Sequence, residues 1–217
     1  MRKQFDRELQ TLENQFLEMG QDVLESASKT MIALAAKDYV LAQNVIDQDK
    51  VINNYQITIE MACARLLALQ QPQVSDLRFV ITVMTACSDL ERMGDHMAGV
   101  ARSILKLKED NVLPEIEEEI HTLGKTVLEM HHDMLHIFSE NDAEKAKNLA
   151  KEDQIIDEAY LQLSKTILTQ MKIQETSIRN GTEYISILKH IERYSDYISN
   201  ICERLVYLET GEITELN

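Results

Sequence analysis

The sequence predicts an all-α protein, a three-helix bundle duplicated in tandem to give six long helices. Three observations carry this: a scarcity of helix breakers, an internal repeat, and apolar positions that step by three and four. Gly 6 and Pro 2 together supply eight of 217 positions, where average usage would place about 26. Sandwiches, propellers and barrels need many more of both at their turns, so these folds are excluded. The chain has no Trp and is 5% aromatic, and its wealth of Leu, Ile, Ala, Glu, Lys and Met favours long helices. With 44% hydrophobic residues it can bury a core, which rules out a disordered chain.

The repeat sets the element order. A shift of 104 carries Gly20, Val23, Leu24, Glu25 and Asp38 onto Gly124, Val127, Leu128, Glu129 and Asp142. The same register places Ala42, Asn44, Asp49 and Ile52 on Ala146, Asn148, Asp153 and Ile156. A shift of 101 then places Glu91-Arg92 and Asp95 on Glu192-Arg193 and Asp196, as a loop shortened by three residues would. The units are expected to divide as 1–110 and 111–217. In the first, helices are predicted over Arg2–Ala36 and Tyr39–Leu69. Gln71-Pro72 stops the second, and Ser75 is the expected N-cap of a third that runs to Glu109. In the second unit Leu113-Pro114 opens the first helix and Asn141-Asp142 separates it from the next. Asn180-Gly181-Thr182 is read as a turn and cap before the last helix, which Gly211 ends.

The third helix of each unit has a clean apolar seam. Val83, Ala86, Leu90, Met93, Met97, Val100, Ile104 and Leu107 correspond to Tyr184, Ile187, Ile191, Tyr194, Ile198, Ile201, Leu205 and Leu208. Such seams bury against partner helices in a bundle.

Charge bounds the partners. There are 22 Lys and Arg against 37 Asp and Glu, a net charge of −15. That balance argues against nucleic acid and against electrostatic docking on anionic lipid. It is compatible with cations or with basic protein surfaces. Cys63, Cys87 and Cys202 are widely spaced with no C-x-x-C, which points to buried thiols in a reducing compartment. The opening MRKQFDREL lacks an apolar signal core, and no window reaches the ~18 apolar residues of a membrane span. A cytoplasmic protein without membrane insertion is expected.

The candidate site follows from repeated acids. Glu91 and Asp95 lie four apart, about 100° off the apolar seam, and so do Glu192 and Asp196. Like charges at that spacing cost roughly 0.2–0.5 kcal/mol. Asp153 and Asp157 form a second pair, and Asp49 with Asn53 its first-unit counterpart. Paired oxygen ligands repeated in both units point to Mg²⁺, Mn²⁺ or Fe in preference to copper or a structural Cys/His zinc site. Solvated acidic faces, with Arg92 and Arg193 relieving charge locally, are the competing account.

His121, His131, His132 and His136 share one predicted helix. Glu118/His121 and Glu129/His132 are both E-x-x-H, but a di-iron bundle needs that motif on two facing helices. H-E-x-x-H is absent. The core stripe of this helix is Ile116, Ile120, Leu123, Val127, Met130, Met134 and Ile137. His132 and His136 fall off it and are expected to be exposed, with an incidental metal site as the alternative. No Gly-rich phosphate loop, G-x-S-x-G elbow or supported Cys/His pair is present. Met84, Met93, Met97, Met130 and Met134 are assigned to packing.

Pro72, Ser75-Asp76-Leu77-Arg78 and the later block Asp89-Leu90-Glu91-Arg92-Met93-Gly94-Asp95-His96 resemble the motifs of the PhoU family of phosphate-transport regulators. The resemblance spans Phe5 to about Glu212, including the duplication. The second copy, Ile191-Glu192-Arg193-Tyr194-Ser195-Asp196-Tyr197, keeps E-R and D but has Ser195 and Tyr197 for Gly and His. The resemblance implies multinuclear metal binding at Glu91, Asp95, Glu192 and Asp196, with Asp49, Asp153 and Asp157 as second-helix partners. Asn53 stands where an acid is expected. Divalent or trivalent Fe, Mn, Zn or Mg is implied. Also implied is a non-enzymatic negative regulator of phosphate-starvation signalling and phosphate uptake. Its partners would be the ATPase subunit of a phosphate ABC transporter and a sensor histidine kinase, and it would act as a homodimer held at the inner face of the cell membrane through the transporter. A metal-storage bundle and an adaptor for another anion transporter are the alternatives.

Overall fold

The computed structural model describes residues 2–70, 72–108 and 112–216. It consists of α1 (Arg2–Ala36), α2 (Tyr39–Gln70), α3 (Val74–Ile104), α4 (Pro114–Glu140), α5 (Ala143–Ala150), α6 (Asp153–Ile173), a 3₁₀ turn (Glu175–Ser177) and α7 (Ile178–Thr210). α1, α2 and α3 form the first unit, and α4, α5–α6 and α7 the second. α1, α3, α7 and α4 make up the centre. α2 flanks it against α1 and α3, and α5–α6 flank it on the other side against α7 and α4. All described regular structure is helical.

The same turn joins the first two helices of each unit. Lys37 and Asn141 both take left-handed backbone (φ 53 and 54), and the following acid caps the next helix. Asp38 Oδ1 accepts the Leu41 N–H at 2.9 Å and Asp142 Oδ1 the Lys145 N–H at 3.0 Å. These caps satisfy amides that an isolated helix start leaves unpaired.

Both predicted seams are buried from Val83 to Ile104 and from Tyr184 to Leu205. They merge into one hydrophobic core running through both units. The α4 stripe from Ile116 to Ile137 is buried as expected, and His132 and His136 are exposed. Met93, Met97, Met130 and Met134 are core residues, whereas Met84 is 39% exposed and does not pack as predicted. All three thiols are buried.

The two units meet where α3 crosses α7. His96 Nδ1 lies 2.9 Å from His190 Nδ1, Ser103 Oγ 3.2 Å from Ser186 Oγ, and Arg204 Nε donates to Asp89 Oδ2 at 2.5 Å. The pairs run in opposite order along the two helices, so α3 and α7 are antiparallel. Burial raises the Asp89 pKa, while the hydrogen bond and charge of Arg204 pull it down. Gly99 permits the crossing, because a Cβ there would overlap the His190 ring. At the α1–α4 contact, Cβ atoms on the equivalent Gly20 and Gly124 would overlap Leu135 and Met31.

Four sequence expectations are corrected. α7 begins at Ile178, so Asn180-Gly181-Thr182 lies within the helix. Tertiary contacts account for this: Asn180 Nδ2 donates to the Lys108 carbonyl at 2.8 Å, and Asn180 Oδ1 accepts the Lys108 N–H at 2.9 Å. Gly181 meanwhile admits Met171 against the helix. Ser75 is not the cap of α3, because the helix starts at Val74 from an extended Gln73. α3 ends at Ile104, short of Glu109. The counterpart of α2 is broken at Lys151-Glu152, whose amides turn back to Asn148 and Leu149. Gln71, Glu109 and the expected 110/111 boundary lie outside the described residues.

Replacing Gly99 by Ala is expected to destabilise the chain by about 1–3 kcal/mol in urea denaturation, as overpacking does. Combining it with His190→Ala should recover part of that loss. A Gly99→Ala variant of unchanged stability would show that His190 moves away at no cost.

Candidate metal centre

Each unit places its predicted acids at the junction of its flanking and third helices. In the second unit Asp153 and Asp157 come from α6, Glu192 and Asp196 from α7. One carboxylate oxygen from each of Asp157, Glu192 and Asp196 lies within 4.8 Å of the others. Asp153 is 2% exposed and sits behind them, accepting a hydrogen bond from Ser195 Oγ at 2.5 Å. The break before α6 puts Asp153 in its first turn, where a negative charge is favoured. Ser195, the apparent loss in the second motif copy, therefore has a use: it adds a donor where the first unit has Gly94.

Burial is the leading cause of the raised carboxylate pKa values here, with repulsion the next raising cause and Arg193 opposing it. Asp196 is raised from 3.8 to about 6, first by burial, then by Glu192 and Asp153. Burial also raises Glu192 and Asp157, with repulsion from neighbouring acids adding to it. Arg193 offsets this only from the outside, 2.9 Å from Asp196 Oδ2 and 3.4 Å from Glu192 Oε2. Glu192 Oε2 is buried and accepts no hydrogen bond.

The first unit has the equivalent positions with one acid fewer, and among the described residues no three of its acids converge as those of the second unit do. Asp49 on α2 interacts with Asp95 and Glu91 on α3, and Asn53 replaces the fourth acid. Burial raises Asp49, followed by repulsion from Asp95, while Arg102 opposes both. Burial and Asp95 raise Glu91. Asp49 Oδ1 and Asn53 Oδ1 are buried without a hydrogen-bond partner. A Cβ on Gly94 would press on Ile52 at 3.0 Å, close to Asp49 Oδ1 at 3.6 Å, so the glycine holds α2 near. Oxygen-only donors and orphaned acceptors fit a hard or borderline cation, and among the described residues three acids converge for one in the second unit only.

The sequence reading missed several residues around these sites. His190 and Arg204 contact the first motif from the other unit, and no local pattern announces a partner about a hundred positions away. His131 was read only as part of a histidine cluster. It is fully buried, 2.5 Å from the Tyr194 hydroxyl. Its place next to Met130 on the core stripe was the available signal. Arg78 of the upstream turn lies over Gly211, at the negative end of α7.

Fold and site together define a class: a duplicated three-helix scaffold with an equivalent set of acids on each repeat. The PhoU domain matches the chain twice, over residues 16–104 and 120–205. The chain belongs to the PhoU family. It is 58% identical over 217 residues, all of both chains, to a phosphate-specific transport system accessory protein PhoU homolog of Streptococcus pneumoniae. It is 31% identical over 209 residues to the Escherichia coli K12 phosphate-specific transport system accessory protein PhoU, covering 96% of this chain and 86% of that one. The crystal structure of the phosphate transport system regulatory protein PhoU from S. pneumoniae superposes with a TM-score of 0.92 at 56% identity. It covers 97% of this chain and 99% of the other.

The shifts predict opposite pH responses. Asp196, raised in the fold, contributes stability that is present below about 3.8 and lost as pH rises through about 6. His131, held down to about 3 by burial, contributes stability present above 6.5 and lost as pH falls toward 3. Asp196→Asn is therefore expected to raise the melting temperature of the chelator-treated protein at pH 7.5 and to leave it nearly unchanged at pH 4. Equal shifts at both values would refute the assignment.

Proposed function

We propose that this chain is the regulatory accessory protein of a phosphate-specific transport system. It acts in the cytoplasm as an adaptor, without catalysis of its own. In this reading it meets the ATPase subunit of a phosphate ABC transporter at the inner face of the membrane. It also contacts a sensor histidine kinase, keeps phosphate-starvation genes off when phosphate is plentiful, and works as a homodimer. Support comes from the names and full-length similarity of its relatives. Among the described residues no helix is long and apolar enough to cross a membrane.

The metal half of the proposal rests on one observation, the convergence of Asp157, Glu192 and Asp196 around a single point. Those three with Asp153, and Asp49, Glu91 and Asp95 in the other unit, would hold Fe, Mn, Zn or Mg ions. A bound cation supplies positive charge that screens the like carboxylates. The residues then hold α6 against α7 and α2 against α3 in one packing. A ligand shifts a conformational equilibrium only by its differential affinity for the two states, and carboxylates that repel when empty provide such a difference.

Deleting the gene is expected to make alkaline phosphatase constitutive in high phosphate; unchanged repression would refute the adaptor role. Metal analysis of protein purified without chelator is expected to find bound ions, with fewer retained by Glu91→Ala/Asp95→Ala and by Glu192→Ala/Asp196→Ala. Wild-type protein without metal would remove the site assignment and leave the adaptor role standing.

A further inference from the structure

A separate group of ligating side chains lies on α4, which contributes nothing to either acidic site. His132 and His136 are four residues apart on its solvent face, with side chains 67% and 61% exposed. Each imidazole is oriented through the same nitrogen: His132 Nδ1 lies 3.4 Å from Asp133 Oδ1, and His136 Nδ1 lies 3.5 Å from Glu140 Oε2. A carboxylate facing Nδ1 favours the proton there and leaves the Nε2 lone pair free to ligate, the arrangement found behind metal-binding histidines. Glu140 is itself steadied by Lys145 Nζ at 2.7 Å. Glu129 stands one turn before His132 on the same face, and Leu24 and Ser28 of α1 wall the open cavity that it shares with His132 and Asp133.

We propose that His132 and His136 chelate a first-row transition-metal dication through their two Nε2 atoms. Water completes the coordination. Imidazole donors select Zn²⁺, Ni²⁺ or Cu²⁺, whereas all-oxygen sites suit Mg²⁺ or Mn²⁺. Such a site on the outside of α4 is chemically distinct from the acidic clusters between the helices of each unit. Two ligands at i and i+4 on a continuous helix are already in register, so binding orders little more than two rings. The proposal does not depend on the acidic sites binding metal.

The test is a Ni²⁺ titration of the EDTA-stripped full chain, followed by calorimetry, on wild type, His132→Ala, His136→Ala and Glu192→Gln/Asp196→Asn. Losing an outer partner of a ligating histidine costs about 10–100-fold in affinity, so loss of either histidine should weaken this site at least tenfold. The acidic-site variant should keep it, and Asp133→Asn should weaken it to an intermediate degree. Cu²⁺ bound to wild type should show two nitrogen ligands by electron paramagnetic resonance, falling to one in either histidine variant. Both histidines are exposed, so the two histidine variants should unfold at the wild-type denaturant midpoint without metal. Histidine variants that bind Ni²⁺ as tightly as wild type would overturn the proposal. So would wild type that binds none, or an acidic-site variant that loses all Ni²⁺ binding.

Discussion

The antiparallel contact of α3 with α7 is the constraint on which the rest depends. It joins the units through groups that tolerate no slippage: the Arg204–Asp89 pair at 2.5 Å, the His96–His190 contact at 2.9 Å, and the His190 ring lying over Gly99. An apolar seam alone would allow a helix to slide by a turn and bury nearly the same area. Polar pairs at fixed spacing oppose that, because a shifted register would leave the buried Asp89 without Arg204. The linker is tied to the same crossing, since Asn180 of α7 holds both the amide and the carbonyl of Lys108.

With the centre set, the acidic sites occupy its two outer seams. Each takes one pair of positions from a third helix and one from the flanking helix, so their geometry is inherited from bundle packing. Duplication makes them related but unequal. The second has four acids and a serine that donates to Asp153. The first has three acids, Asn53, and a bare glycine next to Asp49. Burial first, and then the neighbouring acids, raise the carboxylate pKa values at both. Arg193 and Lys189 in the second unit, and Arg102 and Arg92 in the first, oppose this rise, and Arg193 does so from a half-exposed position.

Much of the fold was legible because long amphipathic helices encode their own periodicity. The seams from Val83 and Tyr184 and the α4 stripe from Ile116 are buried as the three-and-four spacing required. The failures were at positions where a local rule met a tertiary contact. Asn-Gly is a turn signal, yet Asn180 and Gly181 are helical because one side chain clamps Lys108 and the missing other admits Met171. Ser75 had a capping residue's chemistry, but the helix had already begun at Val74. The interruption at Lys151-Glu152 carries no glycine or proline to announce it. Repetition marked Asp49 with Asp153, Glu91 with Glu192 and Asp95 with Asp196, while Asp157 falls opposite Asn53. The contacts of His190 with His96, Arg204 with Asp89 and Ser195 with Asp153 were not legible, since nothing in a one-dimensional pattern pairs positions across a crossing.

By itself, then, the sequence determined the helical class, the doubling, the buried faces and the acids that recur in both halves. Each is a property of spacing along one chain, where side chains three and four apart must share a face. Tertiary structure alone decided which acids converge, as Asp157, Glu192 and Asp196 do. It also decided which histidines are core and which are free: His131 is locked against Tyr194, while His132, its immediate neighbour, faces solvent. The physical reason is the same in each case. Burial and distance between helices depend on how closely two backbones approach, and that is set by which side chains are absent at Gly20, Gly99 and Gly124 as much as by those present.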